Sequence, residues 1–229
     1  MGETVKKYSI CDYYNDCDML TEKGKPIACE KEATSRLLYG RYIPPNASVL
    51  EVGARYGQTT CALPHLLREE GKLTSVEADP RVWGALEANL LRKECRFDRF
   101  NLVKGVVGQK PKMIIKSRDP YGTSTQPYDS VRHANPDQVV APAHPLSTLK
   151  GPFDTLCIDC EGCFKSFLRE NPELLRTVKL IIVDIHNRAE EQQMVSLLSS
   201  GQWKKVDVRA KDFVLCASSS LCPMQDSDC

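Results

Sequence analysis

Two short segments carry acids and an imidazole at strand-like spacing: Cys157-Ile158-Asp159-Cys160-Glu161-Gly162 and Val183-Asp184-Ile185-His186-Asn187. Asp159 and Glu161 are two residues apart, as are Asp184 and His186. In an extended chain each pair therefore shares a face. If the two segments are neighbouring strand ends, three carboxylates and one imidazole converge. Such a set can bind a hard divalent cation, Mg2+ or Mn2+, through Asp159, Glu161 and Asp184. It can also orient and deprotonate a hydroxyl, with His186 as the base. The bland alternative is a pair of solvated strand ends that cap the helices after them.

A second constellation lies upstream. Glu51-Val52-Gly53-Ala54-Arg55-Tyr56-Gly57 ends an apolar strand and opens a helical pattern. Glycines there permit a tight turn and let a ligand approach the backbone. Glu77 follows Gly57 by twenty residues, at the end of the next strand, where an acid accepts hydrogen bonds from ribose hydroxyls. The turn lacks the G-x-G-x-x-G pattern that cradles a pyrophosphate, which argues against a dehydrogenase. Glu51 would repel a phosphate but would help hold an amino group. The pairing therefore points to a cationic nucleoside cofactor, S-adenosyl-L-methionine. Either half alone is also what an ordinary strand-turn-helix with a surface Glu looks like.

Other candidates are weaker. Cys157, Cys160 and Cys163 have metal-ligand spacing. A strand position for Cys157 and a helix start for Cys163 should point their thiols apart, so small apolar core residues are the preferred reading. The same reading covers Cys216, Cys222 and Cys229. His133, His144 and the run Tyr121-Gly122-Thr123-Ser124-Thr125 can line an acceptor pocket or belong to a solvated loop.

These residues need elements to position them. Residues 28–40 read as a helix ending at Gly40, followed by a Pro44-Pro45-Asn46 turn. Strands are expected at Ser48–Val52, Leu73–Glu77, Phe100–Val107, Phe153–Asp159 and Val178–Ile185. Helices are expected at Gln58–Glu70, Pro80–Lys93, Phe164–Arg176 with a break at Asn171-Pro172, and Arg188–Ser200. Trp203–Val208 and Asp212–Ala217 are joined by a link too short for a parallel crossover, so they form a hairpin. The pattern predicts an α/β fold, a doubly wound and mostly parallel sheet with a C-terminal antiparallel hairpin. Residues 1–47 read as an arm and helix packed on the core, 48–217 as a single domain, and 218–229 as a flexible tail. Residues 108–150 break the rhythm as a long excursion with one possible strand at Met113–Lys116, and are expected on the acceptor side.

Composition bounds the partners. The 229 residues carry 31 Lys plus Arg against 30 Asp plus Glu, a net charge of +1, so no nucleic-acid partner is expected. With 41% hydrophobic and 27% charged residues the chain is globular rather than disordered. No apolar run approaches the roughly 18 residues of a membrane span. The N-terminus has no apolar signal-peptide core, and Lys6 stands where a myristoylation motif wants Ser or Thr. With eleven cysteines and no secretion signal, reduced thiols and a cytoplasmic location are expected.

Taken in order, these segments resemble the FkbM family of S-adenosylmethionine-dependent methyltransferases, from about Ser48 to Val208. The resemblance rests on Val49 to Ala54 with Gly57, Val76-Glu77-Ala78-Asp79-Pro80, Leu86-Glu87-Ala88-Asn89, Gly105-Val106-Val107-Gly108, Asp159-Cys160-Glu161-Gly162, and Asp184 with His186. It implies a class I methyltransferase fold, with Glu51, Gly53, Ala54 and Gly57 around the methionine end of the cofactor. Glu77 would hold the ribose, with Ala78, Asp79 and Val106 also at the cofactor. Asp159, Glu161 and His186 would face the acceptor. The family looks mainly like O-methyltransferases of sugar or natural-product hydroxyls. Glu51, Arg55, Phe164 and Asp184 depart from its usual Asp, Asn, Glu and Glu. The expected function is O-methylation of a glycan or other small polar acceptor. A protein or RNA acceptor, or a non-catalytic binding module on the same fold, are the alternatives.

Overall fold

The computed structural model describes residues 19–95, 98–117, 122–128, 137–209 and 211–219. Helix α1 (Ala33–Tyr42) leads to β1 (Ser48–Val52), α2 (Leu63–Leu66), β2 (Lys72–Glu77), α3 (Trp83–Arg92) and β3 (Phe100–Lys104). The excursion holds β4 (Val106–Val107), β5 (Lys112–Lys116), β6 (Thr123–Pro127), β7 (Gln138–Ala141) and β8 (Ala143–His144). The alternation resumes with β9 (Thr155–Ile158), α4 (Phe164–Glu170), α5 (Leu174–Thr177), β10 (Leu180–Asp184), α6 (Arg188–Ser199), β11 (Trp203–Arg209) and β12 (Asp212–Ala217).

Seven strands form the central sheet in the order β3-β2-β1-β9-β10-β12-β11. All pairings are parallel except those of β12, which runs antiparallel to β10 and β11. This is the doubly wound sheet and hairpin that the alternation predicts. The strand order reverses between β1 and β9, and such sheets bind ligands in the crevice beyond the carboxyl ends at that point.

Alternate strand residues feed two core layers. Leu156, Ile158, Ile181 and Val183 pack with Phe164, Phe167, Met194 and Leu197 of the helices on one face. Cys157, Leu180 and Ile182 pack with Leu38, Tyr39 and Tyr42 of α1 on the other. Both faces of β10 are buried, which is why its sequence reads as an unbroken apolar run. Each fully buried aliphatic side chain contributes about 1.5–3 kcal/mol. Phe164 is fully buried in this core.

Several expectations change. Helix α1 runs through Gly40 to Tyr42 because that stretch is buried against the sheet. The helix expected over Gln58–Glu70 contracts to the four residues of α2. Pro64 lacks the amide hydrogen to extend it backwards, and residues 58–62 turn around the end of β1 instead. The excursion is not a plain loop. Its strand β5 is flanked antiparallel by β6 and β7, while β4 pairs with β8 in parallel. Periodicity missed β6 because Thr-Ser-Thr-Gln-Pro has no apolar face. Its pairing with β5, whose Met113 and Ile114 are buried, holds it in place.

The expectation of reduced thiols is also overturned. Cys61 pairs with Cys95 and Cys160 with Cys163, while Cys29 and Cys216 are disulfide-bonded as well. Glu161 and Gly162 both adopt positive φ, which folds the chain back and brings the Cys160 and Cys163 sulfurs together. The three-cysteine metal set therefore does not form, and Cys157 is a buried free thiol. Among the described residues no helix is long and apolar enough to cross a membrane. Residues 1–18, His133, Tyr121 and the tail beyond residue 219 lie outside the described residues.

Candidate active site

An open cleft with a cavity volume of about 100 Å³ lies beyond the carboxyl ends of β1, β2 and β9. Two of its walls come from the glycine turn and the end of β2. Gly53 has φ 102°, and a Cβ there would stand 1.7 Å from the Asp159 carbonyl oxygen. The turn is therefore pressed against the end of β9 with no space for a side chain. Glu77 accepts hydrogen bonds from the amides of Arg55 and Asp79, each at 2.7 Å. Its carboxylate pins the turn to β2, and each oxygen keeps a further lone pair. Burial pushes the Glu77 carboxyl above its usual value.

Of the residues expected at the cofactor, Gly53, Ala54, Glu77, Ala78 and Val106 line the cleft, and Glu51, Gly57 and Asp79 do not. Glu51 is buried behind the turn, where Thr60 Oγ1 donates to it at 2.7 Å. Gly57 faces the side chains of Leu86 and Leu90. Asp79 is held by Arg55 Nη1 at 3.0 Å and Arg81 Nε at 2.7 Å. Arg55 thus pairs with a protein carboxylate while also lining the cleft.

Strands β9 and β10 are neighbours in register Ile158↔Val183, so the residues that follow, Asp159 and Asp184, stand side by side. His186 Nε2 lies 2.8 Å from Asp159 Oδ1 and 3.4 Å from Asp184 Oδ2. One ligand atom each from Asp159, Asp184 and His186 fall within 4.8 Å of one another. Glu161 lies in the left-handed turn rather than in an extended strand, yet its Oε2 reaches to 3.5 Å from His186 Nδ1. Asp159 and Glu161 line the cleft, and His186 and Asp184 stand behind them.

The positions of these groups set their protonation. Burial opposes charge on His186, but the hydrogen bond to Asp159 and the charges of Asp159, Asp184 and Glu161 outweigh it and raise the imidazole to about 9. Asp159 is buried, but hydrogen bonds from His186 and Glu32 hold it below the usual carboxylate value. With Nε2–H on Asp159, the exchangeable proton sits on Nδ1. It faces Glu161 when the ring is charged, and Nδ1 faces the Lys211 ammonium at 3.4 Å when the ring is neutral. The folded value lies above the reference value of 6.5, so the imidazolium stabilises the fold fully below about pH 6.5. That contribution is lost as pH rises through about 9. An NMR titration of the His186 ring in chelator should have its midpoint near 9. A midpoint at 6.5 would mean the three carboxylates do not act on it.

Sequence reading missed several groups here. Lys211, in the β11–β12 link, sits 2.5 Å from Asp184 Oδ2. Antiparallel pairing of Asp184 with Asp212 brings it there, which nothing local announces. Buried Glu190 accepts from the amides of Phe164 and His186, each at 2.9 Å, and so fixes both loops of the cluster. Its place in the first turn of α6 was the one available signal. Glu32, ahead of α1, also lines the cleft, as do Lys112, Thr123, Thr125 and Glu170. His144 does not line it, and its Nε2 lies 3.1 Å from the Lys104 carbonyl oxygen.

No family model and no curated protein matches this chain in sequence. Solved structures do match in shape. An SAH-bound Podospora anserina methyltransferase, PaMTH1, is similar at a TM-score of 0.53 and 11% identity, over 92% of this chain and 88% of its own. The precorrin-6y C5,15-methyltransferase of Geobacter metallireducens gives 0.52 and 16%, over 90% and 96%. An O-methyltransferase of Bacillus cereus in complex with SAH gives 0.51 and 13%, over 91% and 88%. At such identities the likeness shows the fold, that of the class I methyltransferases.

Proposed function

We propose that the protein is an S-adenosyl-L-methionine-dependent O-methyltransferase of the FkbM kind, acting on a hydroxyl of a sugar, glycan or other small polar acceptor. One observation carries this reading. A single cleft joins Gly53, Ala54 and Glu77 to Asp159 and Glu161. The fold agrees with it, and so does the fit of the residues, a bare-backbone turn facing a buried carboxylate with acceptor capacity to spare.

When bound, S-adenosylmethionine supplies a methyl group on a positively charged sulfur. Glu77 then accepts from the ribose hydroxyls, and the Gly53–Ala54 backbone lets the methionyl end lie close. Asp159 and Glu161 orient the acceptor hydroxyl at the inner end of the cleft, where much of the rate comes from alignment. Glu161, which lies between the cleft and His186 Nδ1, passes the hydroxyl proton to the ring when the ring is neutral, and Asp159 holds the opposite ring nitrogen. A base with a value near 9 is stronger than an ordinary histidine, which suits a weakly acidic hydroxyl. Thr123, Thr125 and Ser166, with the Lys112–Glu170 pair, offer both donors and acceptors along the far wall, as a polyhydroxyl ligand requires. Residues 48–217 act as one catalytic domain in this reading, and 108–150 as the acceptor-side wall.

The donors Asp159, Asp184 and His186 fit Mg2+ or Mn2+ in kind, with Glu161 at the rim. The ion would add positive charge at the acceptor oxygen. His186 would have to lose its proton and Lys211 to withdraw, since they already compensate these acids. The paired cysteines favour an oxidising compartment over the cytoplasm.

The test is calorimetry with S-adenosylhomocysteine (SAH), with and without Mg2+ or Mn2+. Wild type should bind it, and Glu77→Ala should weaken binding about 10–100-fold, the loss of charged hydrogen bonds to a diol. Absence of binding by wild type in every condition overturns the proposal. Binding without metal, with chelator leaving acceptor methylation intact, removes the metal from it.

A further inference from the structure

The cleft contains an acid that belongs to neither sequence motif. Glu32 has φ 59° and ψ 16°, a left-handed conformation disfavoured for a residue with a Cβ. Buried Arg36 clamps the preceding turn, donating from Nη1 to the Lys31 carbonyl at 2.8 Å and from Nη2 to the Cys29 carbonyl at 2.5 Å. Held this way, the Glu32 carboxyl reaches the cleft wall, where burial and the neighbouring Asp159 raise it to about 8, so that it keeps its proton at neutral pH and donates it to the Asp159 carboxylate. The Asp159 main-chain carbonyl in turn lies against Gly53. Glu32 therefore stands at the glycine-turn end of the cleft, next to a second acid.

The acids here outnumber the cations. With Glu32 protonated, the carboxylates of Asp159, Glu161 and Asp184 face His186 and Lys211. Asp184 Oδ1 is buried with no hydrogen-bond partner among the described residues. Glu51, the acid expected to hold the cofactor's amino group, is sealed behind the turn by Thr60. The end of the cleft where a methionyl group would lie thus has two acids in contact, Glu32 and Asp159, that share one proton, while His186 meets the charge on Asp159. An ammonium brings three donors and would take the place of the proton that Glu32 and Asp159 share.

We infer that Glu32, together with Asp159, binds the α-ammonium of the methionyl end of S-adenosylmethionine, a role that rests on the cofactor reading proposed above. The N-terminal segment would then complete the cofactor site rather than only pack on the core. Glu32 is a binding residue, and Arg36 positions it.

The test compares SAH with 5′-methylthioadenosine, which keeps the adenosine and thioether and lacks the amino-acid end. Both are titrated in chelator into wild type, Glu32→Gln and Glu32→Asp. Glu32→Gln should weaken SAH about tenfold or more and change 5′-methylthioadenosine by less than about twofold, as the loss of one charged hydrogen bond requires. Glu32→Asp, which keeps the charge, should recover most of the SAH affinity. The 5′-methylthioadenosine arm reports that each variant is folded. If Glu32→Gln affects both ligands equally or neither, or if Glu32→Asp binds SAH no better than Glu32→Gln, the inference about Glu32 fails while the cofactor reading stands. If neither ligand binds wild type, the cofactor reading itself fails and this inference falls with it.

Discussion

Gly53→Ala should lower the melting temperature by about 10 °C and abolish SAH binding at concentrations that saturate wild type. A Cβ at this residue would meet the Asp159 carbonyl oxygen at 1.7 Å, and that obstacle is backbone at the end of β9. A flexible neighbour could swing aside, but this carbonyl cannot without moving β9 away from β1. The φ of 102° adds strain for any L-residue. Together these should cost about 3–5 kcal/mol, and a chain of this size loses roughly 2–4 °C for each. The same movement would displace the turn that faces the cofactor and the acid that faces the acceptor. Gly84→Ala is the control. It lies in α3 with open space around its Cβ position, so alanine should stabilise by about 0.5–1 kcal/mol through helix propensity. Thermal melts and SAH calorimetry on both variants decide the matter. A Gly53→Ala protein that melts and binds like wild type would show that β1 and β9 are not packed as described.

Asp159→Asn should reduce methyl transfer at saturating cofactor about 10²–10⁴-fold and, since Asp159 shares the ammonium with Glu32, weaken SAH about tenfold or more as well. The carboxylate does two things at once. It holds His186 Nε2 at 2.8 Å, and its charge helps raise the imidazole to about 9. With His186 as the base, the wild-type rate should climb with pH and level off near 9, because only the neutral ring accepts a proton. Asparagine keeps the shape but removes the charge, so the ring should titrate closer to 6.5 and the pH–rate profile should shift down with it. The plateau should also be lower, because a weaker base and a less oriented ring remain. Rates from pH 6 to 10 for both proteins supply the measurement. An unshifted profile would remove His186 from proton transfer and leave positioning as its role.

Much of the architecture was legible from residue order. Alternation of apolar strands with helical patterns specified the parallel sheet, since both faces of β9 and β10 had to be covered. The short link between Trp203–Arg209 and Asp212–Ala217 permitted only a hairpin. The ends of β1, β2, β9 and β10 were legible too, and with them Gly53, Glu77, Asp159, Asp184 and His186, because period-two spacing and strand polarity are local properties. Glu51 and Asp79 were placed at the cofactor because they flank the right strands. Which way each side chain turns depended on Thr60, Arg55 and Arg81, and those contacts are not local. The same limit hid β6, whose polar residues are held only by pairing with β5. It also hid the Cys160–Cys163 link, which required the left-handed turn at Glu161 and Gly162.

Sequence by itself therefore determined the sheet, the turn that meets a ligand and the acids at the strand ends, since each is written in neighbours two to four residues apart. Tertiary structure alone decided that Glu32 and Lys211 join those acids, from residues 127 and 52 positions away from Asp159. It also decided that the imidazole among them carries its proton at neutral pH. Charge and burial act through space, and the distances that set them exist only once the strands are packed side by side.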